Sequence, residues 1–439
     1  MTDTLLEAGA RATENPNFLR AVTDMAERCA VVTQDAIYSA NGIKLVEKGA
    51  RIDSRLYDRL VQHKLREPID QNLSVENVVS VDALLETARA MCQQQPLQRL
   101  VKALGSHDRL LAPLRFLPLT GPIAFKLTVM REQRPELFRH SLQMMLVALF
   151  LGIKCGMSER DCVPLAAAGL LHDMGVLHMA PEWRDPQNKV SGVERRQLVA
   201  HPITAMLMVR DAQVYSRAVE EAVLEHHERM DGTGYPRGLA GAQISTLGRI
   251  LMLAEMVAAF YEKAIDMPAQ QLSLALRLNH RKFPAELVAH VLPVLQDELD
   301  QDRSQALPTG EHINAMARAL MQAFEQWDGA KAAQGAALLD KDSPAAFVEG
   351  RLKALQKALT EAGAHPNHQV QLIEQLQGDA EGLAEVAFVV REALWQLESI
   401  VNSCQRRWPG VLEGPQPADQ AVARWCDWVR AQARGAIAA

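Results

Sequence analysis

The chain has 439 residues, 48% of them apolar and 23% charged, and a formal net charge of -6. That length leaves room for roughly two or three domains with cores of their own, and the apolar share is that of a globular protein. The acid excess excludes an extended nucleic-acid surface, which needs a basic face, but leaves room for a small phosphate ligand held by metals and a few local cations.

The first twenty residues carry acids and no long apolar stretch, so no secretory leader is expected. The longest clean apolar run, Met144 to Ile153, is too short for a bilayer, and no membrane span is expected. Six cysteines (Cys29, Cys92, Cys155, Cys162, Cys404, Cys426) stand without a CxxC pair. That spacing disfavours a disulfide framework or a thiolate zinc site and suits a reducing cytoplasm.

Residues 1 to about 28 read as an amphipathic lead-in helix. Ala30 to Tyr38 alternates and is β-branched, and Asn41-Gly42 before Ile43 to Val46 is a hairpin signal. Asp53 reads as the N-cap of a helix with Ile52, Leu56, Leu60 and Val61 on one face. Residues 1–110 are therefore expected to form a small α/β regulatory module, a docking or dimerisation element with only His63 before Ser80. From Val81 onward the pattern is helical. Leu110 to Pro122, with Pro113, Pro118, Gly121 and Pro122, reads as a linker. Helical spacing then runs over 123–330, broken at Gly152 to Ser158, at Met179 to Gly192 and at Asp231 to Pro236. Residues 329–343, rich in Ala, Gly, Asp and Lys, read as a second linker. Residues 344–439 read as helices over Phe347 to Leu359, Val370 to Val401 and around Trp425 and Trp428, an interaction or dimer surface. The fold class expected is mainly α.

Six of the thirteen histidines fall between His140 and His227, about a fifth of the chain. That crowding favours a metal site over six separately satisfied imidazoles. Glu136 and His140 are four apart in a helical pattern and share a face. His172-Asp173 closes the apolar run Val163 to Leu171. His201 precedes Pro202, which places it at a helix N-terminus. His226 and His227 stand about 100° apart on a helix and are positioned to flank a cluster and serve two ions. Glu255 lies in an apolar helix, where an unpaired carboxylate is costly. These eight imidazole and carboxylate donors exceed one ion's needs and imply two or three divalent ions, iron or manganese first, zinc or nickel next. Such a cluster suits phosphodiester hydrolysis by a metal-bridging hydroxide. Gly232 and Gly234 let the following loop turn back over the site, and Tyr235 with Pro236 fix its end. Tyr235 is open to a substrate contact or a packing role, and Asp231 reads as a loop and cap residue.

His172-Asp173, with His226-His227-Glu228 and Asp231-Gly232-Thr233-Gly234-Tyr235-Pro236, resembles the HD-GYP family over roughly residues 125–265. The order His140, His172-Asp173, His201-Pro202, His226-His227 and a helical carboxylate is similar to the family's ligand order. The resemblance implies a helical HD bundle and a phosphodiesterase of the bacterial second messenger cyclic di-GMP. The product implied is pGpG, with onward cleavage to GMP left open. It also implies Glu136 as the carboxylate of a third ion. Three departures stand out. Val176 replaces the usual lysine after His-Asp-x-Gly, removing a phosphate contact worth about a few kcal/mol. Glu255 replaces the usual aspartate, and Ala258 with Tyr261-Glu262-Lys263 replaces an Asp and an Arg-rich run. Lys189, Arg229, Arg237 and Arg249 are candidates to supply the missing charge, each with a solvated surface role as the alternative. His178 has no counterpart and reads as structural or surface.

The leading expectation is a cytoplasmic cyclic di-GMP phosphodiesterase with Glu136, His140, His172, Asp173, His201, His226, His227 and Glu255 as ligands, His172 and Asp173 central and Asp173 bridging. Arg229, Asp231, Gly232, Gly234, Tyr235, Pro236, Arg237 and Arg249 are the candidate substrate contacts. One rival is a catalytically silent receptor or scaffold for the same nucleotide, motivated by Val176 and the missing arginines. Another is an HD enzyme of a different phosphate ester. A homodimer or a signalling partner is expected through the terminal modules.

Overall fold

Asn15 starts the first helix, α1 (Pro16–Ala26): its side chain accepts from Asn17 N at 3.0 Å and Phe18 N at 3.1 Å, and Pro16 needs no donor at the first turn. In this computed structural model residues 15–180, 192–262, 268–279, 281–299, 310–334, 343–361, 379–412 and 417–438 are described, with 373, 375 and 376. The lead-in helix expected over 1–28 is thus seen as α1, and residues 1–14 lie outside the described residues. β1 (Val31–Thr33), β2 (Ile37–Tyr38) and β3 (Lys44–Val46) follow. β2 pairs antiparallel with β3 around Asn41-Gly42, with Gly42 at φ 81, as an Asn-Gly turn requires. Asp53 accepts from Leu56 N at 3.2 Å at the start of α2 (Leu56–Val61), and Ile52 and Leu60 are buried. β1 pairs not with its neighbour but with β4 (Leu73–Val75), Val31 opposite Val75.

α3 (Val81–Cys92), α4 (Leu97–Leu104) and α5 (His107–Leu111) lead into a short 3-10 helix, Ala112–Phe116. This corrects the linker expected over Leu110 to Pro122. Leu110, Leu111, Pro113, Leu114 and Leu117 are buried. The prolines there open turns, Pro113 in the 3-10 helix and Pro122 in the first turn of α6 (Gly121–Gln133).

α7 (Pro135–Lys154) is the axis of the helical part, packed against α6, α8 (Glu159–Leu171) and α11 (Thr246–Glu262). It extends well beyond the Met144–Ile153 run and is long and apolar enough to cross a bilayer, but 89% of its apolar window is buried inside its unit. Gly169 explains how closely α8 approaches it: a Cβ there would sit 2.8 Å from Met145 Cα. α9 (Gly192–Asp211) and α10 (Arg217–Glu225) pack on each other, and α10 also meets α8 and α11. Between α8 and α9 a 3-10 turn, Met174–His178, lies against α9 and against α1.

By packing, the chain divides into two units, Met1–Ala264 with Arg281–Val294, and Ile265–His280 with Leu295–Ala439. Composition instead suggested boundaries at 110, 123, 330 and 344. The second unit holds α12 (Pro268–Leu278), the end of α13 (Ala285–Leu299), α14 (Gly310–Gln334), α15 (Pro344–Glu361), α16 (Ala380–Arg407) and α17 (Pro417–Ala438). α14 runs through 329–334, part of the stretch read as a linker; 335–342 lie outside the described residues. Helix-favouring Ala and Lys carry it past Gly329. Its Trp327 meets Trp425 of α17 with ring centroids 5.5 Å apart, and Trp425 Nε1 donates to the Ala323 carbonyl at 2.9 Å.

His178 ends the 3-10 turn. Its carbonyl accepts from Asn17 Nδ2 at 3.0 Å and its ring lies 5.8 Å from that of Phe18, so it is a structural residue clamped by α1. Burial, and then the cations Lys126 and Arg134, push its pKa down from 6.5 to about 4. Above pH 6.5 the imidazole is neutral folded or unfolded and contributes nothing to the pH dependence. Between pH 6.5 and about 4 the unfolded chain takes up a proton that the folded chain refuses, so stability falls, by on the order of 2 kcal/mol for this largely buried group. Urea midpoints at pH 7 and pH 4.5 are expected to fall less for His178→Gln than for the unaltered chain; equal falls would rule this account out.

Candidate metal centre

Three histidines of the first unit, His172, His201 and His226, are aimed by main-chain carbonyls. His172 and His226 each cap the C-terminus of a helix, α8 and α10, where intrahelical donors run out. Their Nδ1 atoms lie 2.8 Å from the Gly169 carbonyl and 2.6 Å from the Val223 carbonyl, each three residues back. His201 lies in the middle of α9, which corrects the reading that placed it at a helix start. Pro202 is inside the helix, and having no N–H it cannot donate to the Leu198 carbonyl four residues before it. His201 Nδ1 takes that carbonyl instead, at 2.5 Å. A carbonyl only accepts, so in all three rings the proton is on Nδ1 and Nε2 is turned inward.

The inward atoms converge. Asp173 Oδ1 is 3.0 Å from His201 Nε2 and 3.7 Å from His226 Nε2. Its Oδ2 is 3.5 Å from His172 Nε2 and 4.0 Å from His140 Nε2. Glu255 Oε2, from the middle of α11, is 3.0 Å from His140 Nε2 and 3.4 Å from His172 Nε2. Two donor groups result among the described residues, Asp173 with His201, His226 and His227, and His140 with His172 and Glu255. His226 and His227 fall in the same group, contrary to the expectation that they serve different ions. α10 ends at Glu225, so the helical 100° offset no longer separates them, and their ring centroids are 4.1 Å apart.

The donor chemistry fits divalent cations. His172 Nε2 is buried without a hydrogen-bond partner. His201 Nε2 and His226 Nε2 face each other at 3.2 Å, two lone pairs opposed if both rings are neutral. Burial, then the neighbouring His172 and His201, push the His226 pKa down to about 3, and burial, then His226 and His201, hold that of His227 well below the usual imidazole range. Those two rings are thus held in the form that binds metal. Burial would raise the carboxyls of Asp173 and Glu255, yet Asp173 is held well below its usual range by His172 and His201, and Glu255 by His140 and His172. Separations of 3.0–3.7 Å match edges of a coordination shell whose radius is about 2.1 Å.

Not every expected ligand arrives. Glu136 shares a helix face with His140 but is exposed, in the first turn of α7, and belongs to neither group. A four-residue spacing sets direction around the helix and not depth in the bundle. Glu262 occupies a place that sequence reasoning missed: its Oε1 is 2.9 Å from His140 Nδ1. The available signal was its position seven residues, about two turns, after Glu255 on the same helix.

The loop after His227 is fastened by two buried glutamates. Glu228 accepts from Arg237 N at 2.8 Å and Leu239 N at 2.9 Å, while Glu225 accepts from Ser245 N at 2.8 Å and pairs with the Arg237 guanidinium. Asp231 caps the turn, accepting from Thr233 N at 3.0 Å, and Gly232 takes φ 73. Gly234 has no room for a side chain: a Cβ would sit 2.5 Å from Arg229 N. Tyr235, followed by Pro236, lies on His227 with centroids 4.7 Å apart. Of the candidate cations, Arg237 is exposed and engaged with Glu225, and Lys189 lies outside the described residues. Arg229 is half-buried over the Phe283 ring, and Arg249 keeps a buried Nε without a partner. Val176 is buried, and its carbonyl accepts from Arg134 at 2.8 Å. Glu228→Ala strands two loop amides and is expected to lower stability by about 2–3 kcal/mol and to raise protease sensitivity at the loop. Cleavage and melting like those of the unaltered chain would contradict that role.

Residues 128–282 match the family model described as an HD domain. Over 83 residues the chain is 41% identical to a cyclic di-GMP phosphodiesterase of Pseudomonas aeruginosa, covering 19% of this chain and 20% of that protein. Over 172 residues it is 27% identical to 3'3'-cGAMP-specific phosphodiesterase 3 of Vibrio cholerae, covering 39% and 37%. Over 123 residues it is 32% identical to 3'3'-cGAMP-specific phosphodiesterase 1 of the same organism, covering 28% of each. The chain thus spans well under half the length of these relatives.

Proposed function

We propose that this chain is a metal-dependent phosphodiesterase that opens cyclic di-GMP to pGpG in a reducing cytoplasm. The observation that carries the reading is Asp173, whose two oxygens face two separate groups of imidazole donors. The names of the matched relatives, all phosphodiesterases of cyclic dinucleotides, support the substrate class. Bound there, divalent cations supply Lewis acidity at the phosphoryl oxygens and lower the pKa of a water, and an imidazole–carboxylate set without thiolate favours iron or manganese.

The chain's own groups account for the rest. Five imidazoles and two ionised carboxylates gather in the buried centre, and burial keeps two of the rings, His226 and His227, in the neutral form that binds metal. The glutamate-fastened loop holds Tyr235 against His227, and with it a flat apolar face beside the donors. Arg229, on the same loop, puts a half-buried cation near the cluster, where Glu255 offsets part of its desolvation. That charge is the replacement we assign for the lysine missing at Val176.

Protein loaded with iron or manganese and supplied with cyclic di-GMP is expected to yield pGpG, followed by chromatography, with 3'3'-cGAMP as the comparison substrate. Binding without turnover under every metal would instead support the receptor reading. Turnover of neither nucleotide, with another phosphate ester cleaved, would replace the substrate.

A further inference from the structure

The imidazoles of the centre differ in what holds their outer nitrogen. His172, His201 and His226 lean on main-chain carbonyls, which no side-chain substitution removes. His140 has no such support. It sits inside α7, where the carbonyls three and four residues back already serve the helix's own ladder. Its Nδ1 is met by Glu262 Oε1 at 2.9 Å, a carboxylate at the end of α11 that reaches in from the rim. Glu255, two turns earlier on α11, meets the same ring at Nε2, 3.0 Å away. One helix thus grips both nitrogens of one imidazole.

We infer that Glu262 is the positioning residue of the His140–His172–Glu255 group, fixing the proton of His140 on Nδ1 and so presenting Nε2 as the donor. This rests on the metal reading above. With Glu262 present, the His140 ring is held between the two carboxylates of α11, with Nε2 facing Glu255. Without it, the ring is free to flip or change tautomer, and that group loses a fixed donor. In the other group His201 and His226 are untouched, because main-chain carbonyls support them, and no contact there involves Glu262 among the described residues. The two groups therefore differ in dependence on a surface-reaching side chain, and the ion held by the His140 group is the one lost first. Outer partners of ligating histidines are worth roughly 10–100-fold in metal affinity.

The test is calorimetric titration of the full chain with manganese chloride, with metal per chain counted after dialysis. The unaltered chain is expected to bind in two steps. Glu262→Ala should weaken one step roughly 10–100-fold and leave the other in place. Glu262→Gln keeps an acceptor for Nδ1–H and should recover most of the loss. On a His140→Ala background, Glu262→Ala should add nothing. The inference is overturned if Glu262→Ala binds manganese as the unaltered chain does, if both steps weaken together, or if the two losses add. An unaltered chain that takes up no manganese would defeat the metal reading and this inference with it, whereas the preceding results would leave the metal reading standing.

Discussion

Asp173→Asn is expected to empty both donor groups and to reduce the proposed cyclic di-GMP hydrolysis by about a thousandfold, roughly 4 kcal/mol of barrier. Asparagine keeps the shape but presents one neutral oxygen in place of two charged ones. At most one of the two groups then retains a donor from position 173, and that donor is weak. The loss also reaches the protein without metal. Asp173 is the negative partner of His172 and His201, at 3.5 Å and 3.0 Å, in a site where burial opposes every charge. Removing one member of a buried ionic set commonly costs about 3–5 kcal/mol, because the remaining charge is left uncompensated. His226→Ala, which deletes one donor of one group, should leave the His140 group loaded and cost less. Elemental analysis and a chromatographic assay on the same preparations decide the matter. An Asp173→Asn chain that still carries two ions would show that the carboxylate is a hydrogen-bond partner and not a shared ligand.

The contrast between these residues and their sequence shows what a linear pattern can and cannot hold. His172-Asp173 and His226-His227 were legible because each pair follows directly on the end of a helix, and a helix end is a local event. Glu136 misled because helical spacing gives direction around the axis, whereas exposure depends on how far neighbouring helices reach along α7. Pro202 misled for a different reason. Proline is common in a first turn, but here it sits mid-helix, and the hydrogen bond it cannot make is the one His201 uses. For Glu262 the sequence offered only its place two turns after Glu255, since the partner that gives it a role is 122 residues away. The same holds for the pairing of β1 with β4 and for the packed stretch from Leu110 to Leu117. The Asn41-Gly42 hairpin, which closes within a few residues, was readable outright.

Gly175→Ala should damage the site without altering any donor. The glycine lies two residues after Asp173, in the 3-10 turn that rests on α9. A Cβ there would overlap the His201 carbonyl oxygen and lie 2.9 Å from Ala205 N, and both are backbone atoms of α9 that no rotamer change can move aside. The turn and the helix must therefore part, by something near 1 Å. Asp173 belongs to the first and His201 to the second, so the 3.0 Å contact between Oδ1 and Nε2 opens with them. Overpacking of this kind costs about 1–3 kcal/mol of stability, and a shift of that size in a reacting group costs on the order of a hundredfold in rate. The expected signature is a chain that is folded but less stable, with weakened manganese binding in the group containing His201 and a loss of turnover larger than the loss of stability explains. Denaturant midpoints and metal titrations on the same variant separate the two effects. Normal metal binding with normal stability would mean that the turn slides over α9 without strain, and the close approach at Gly175 would then have no part in holding Asp173 to His201.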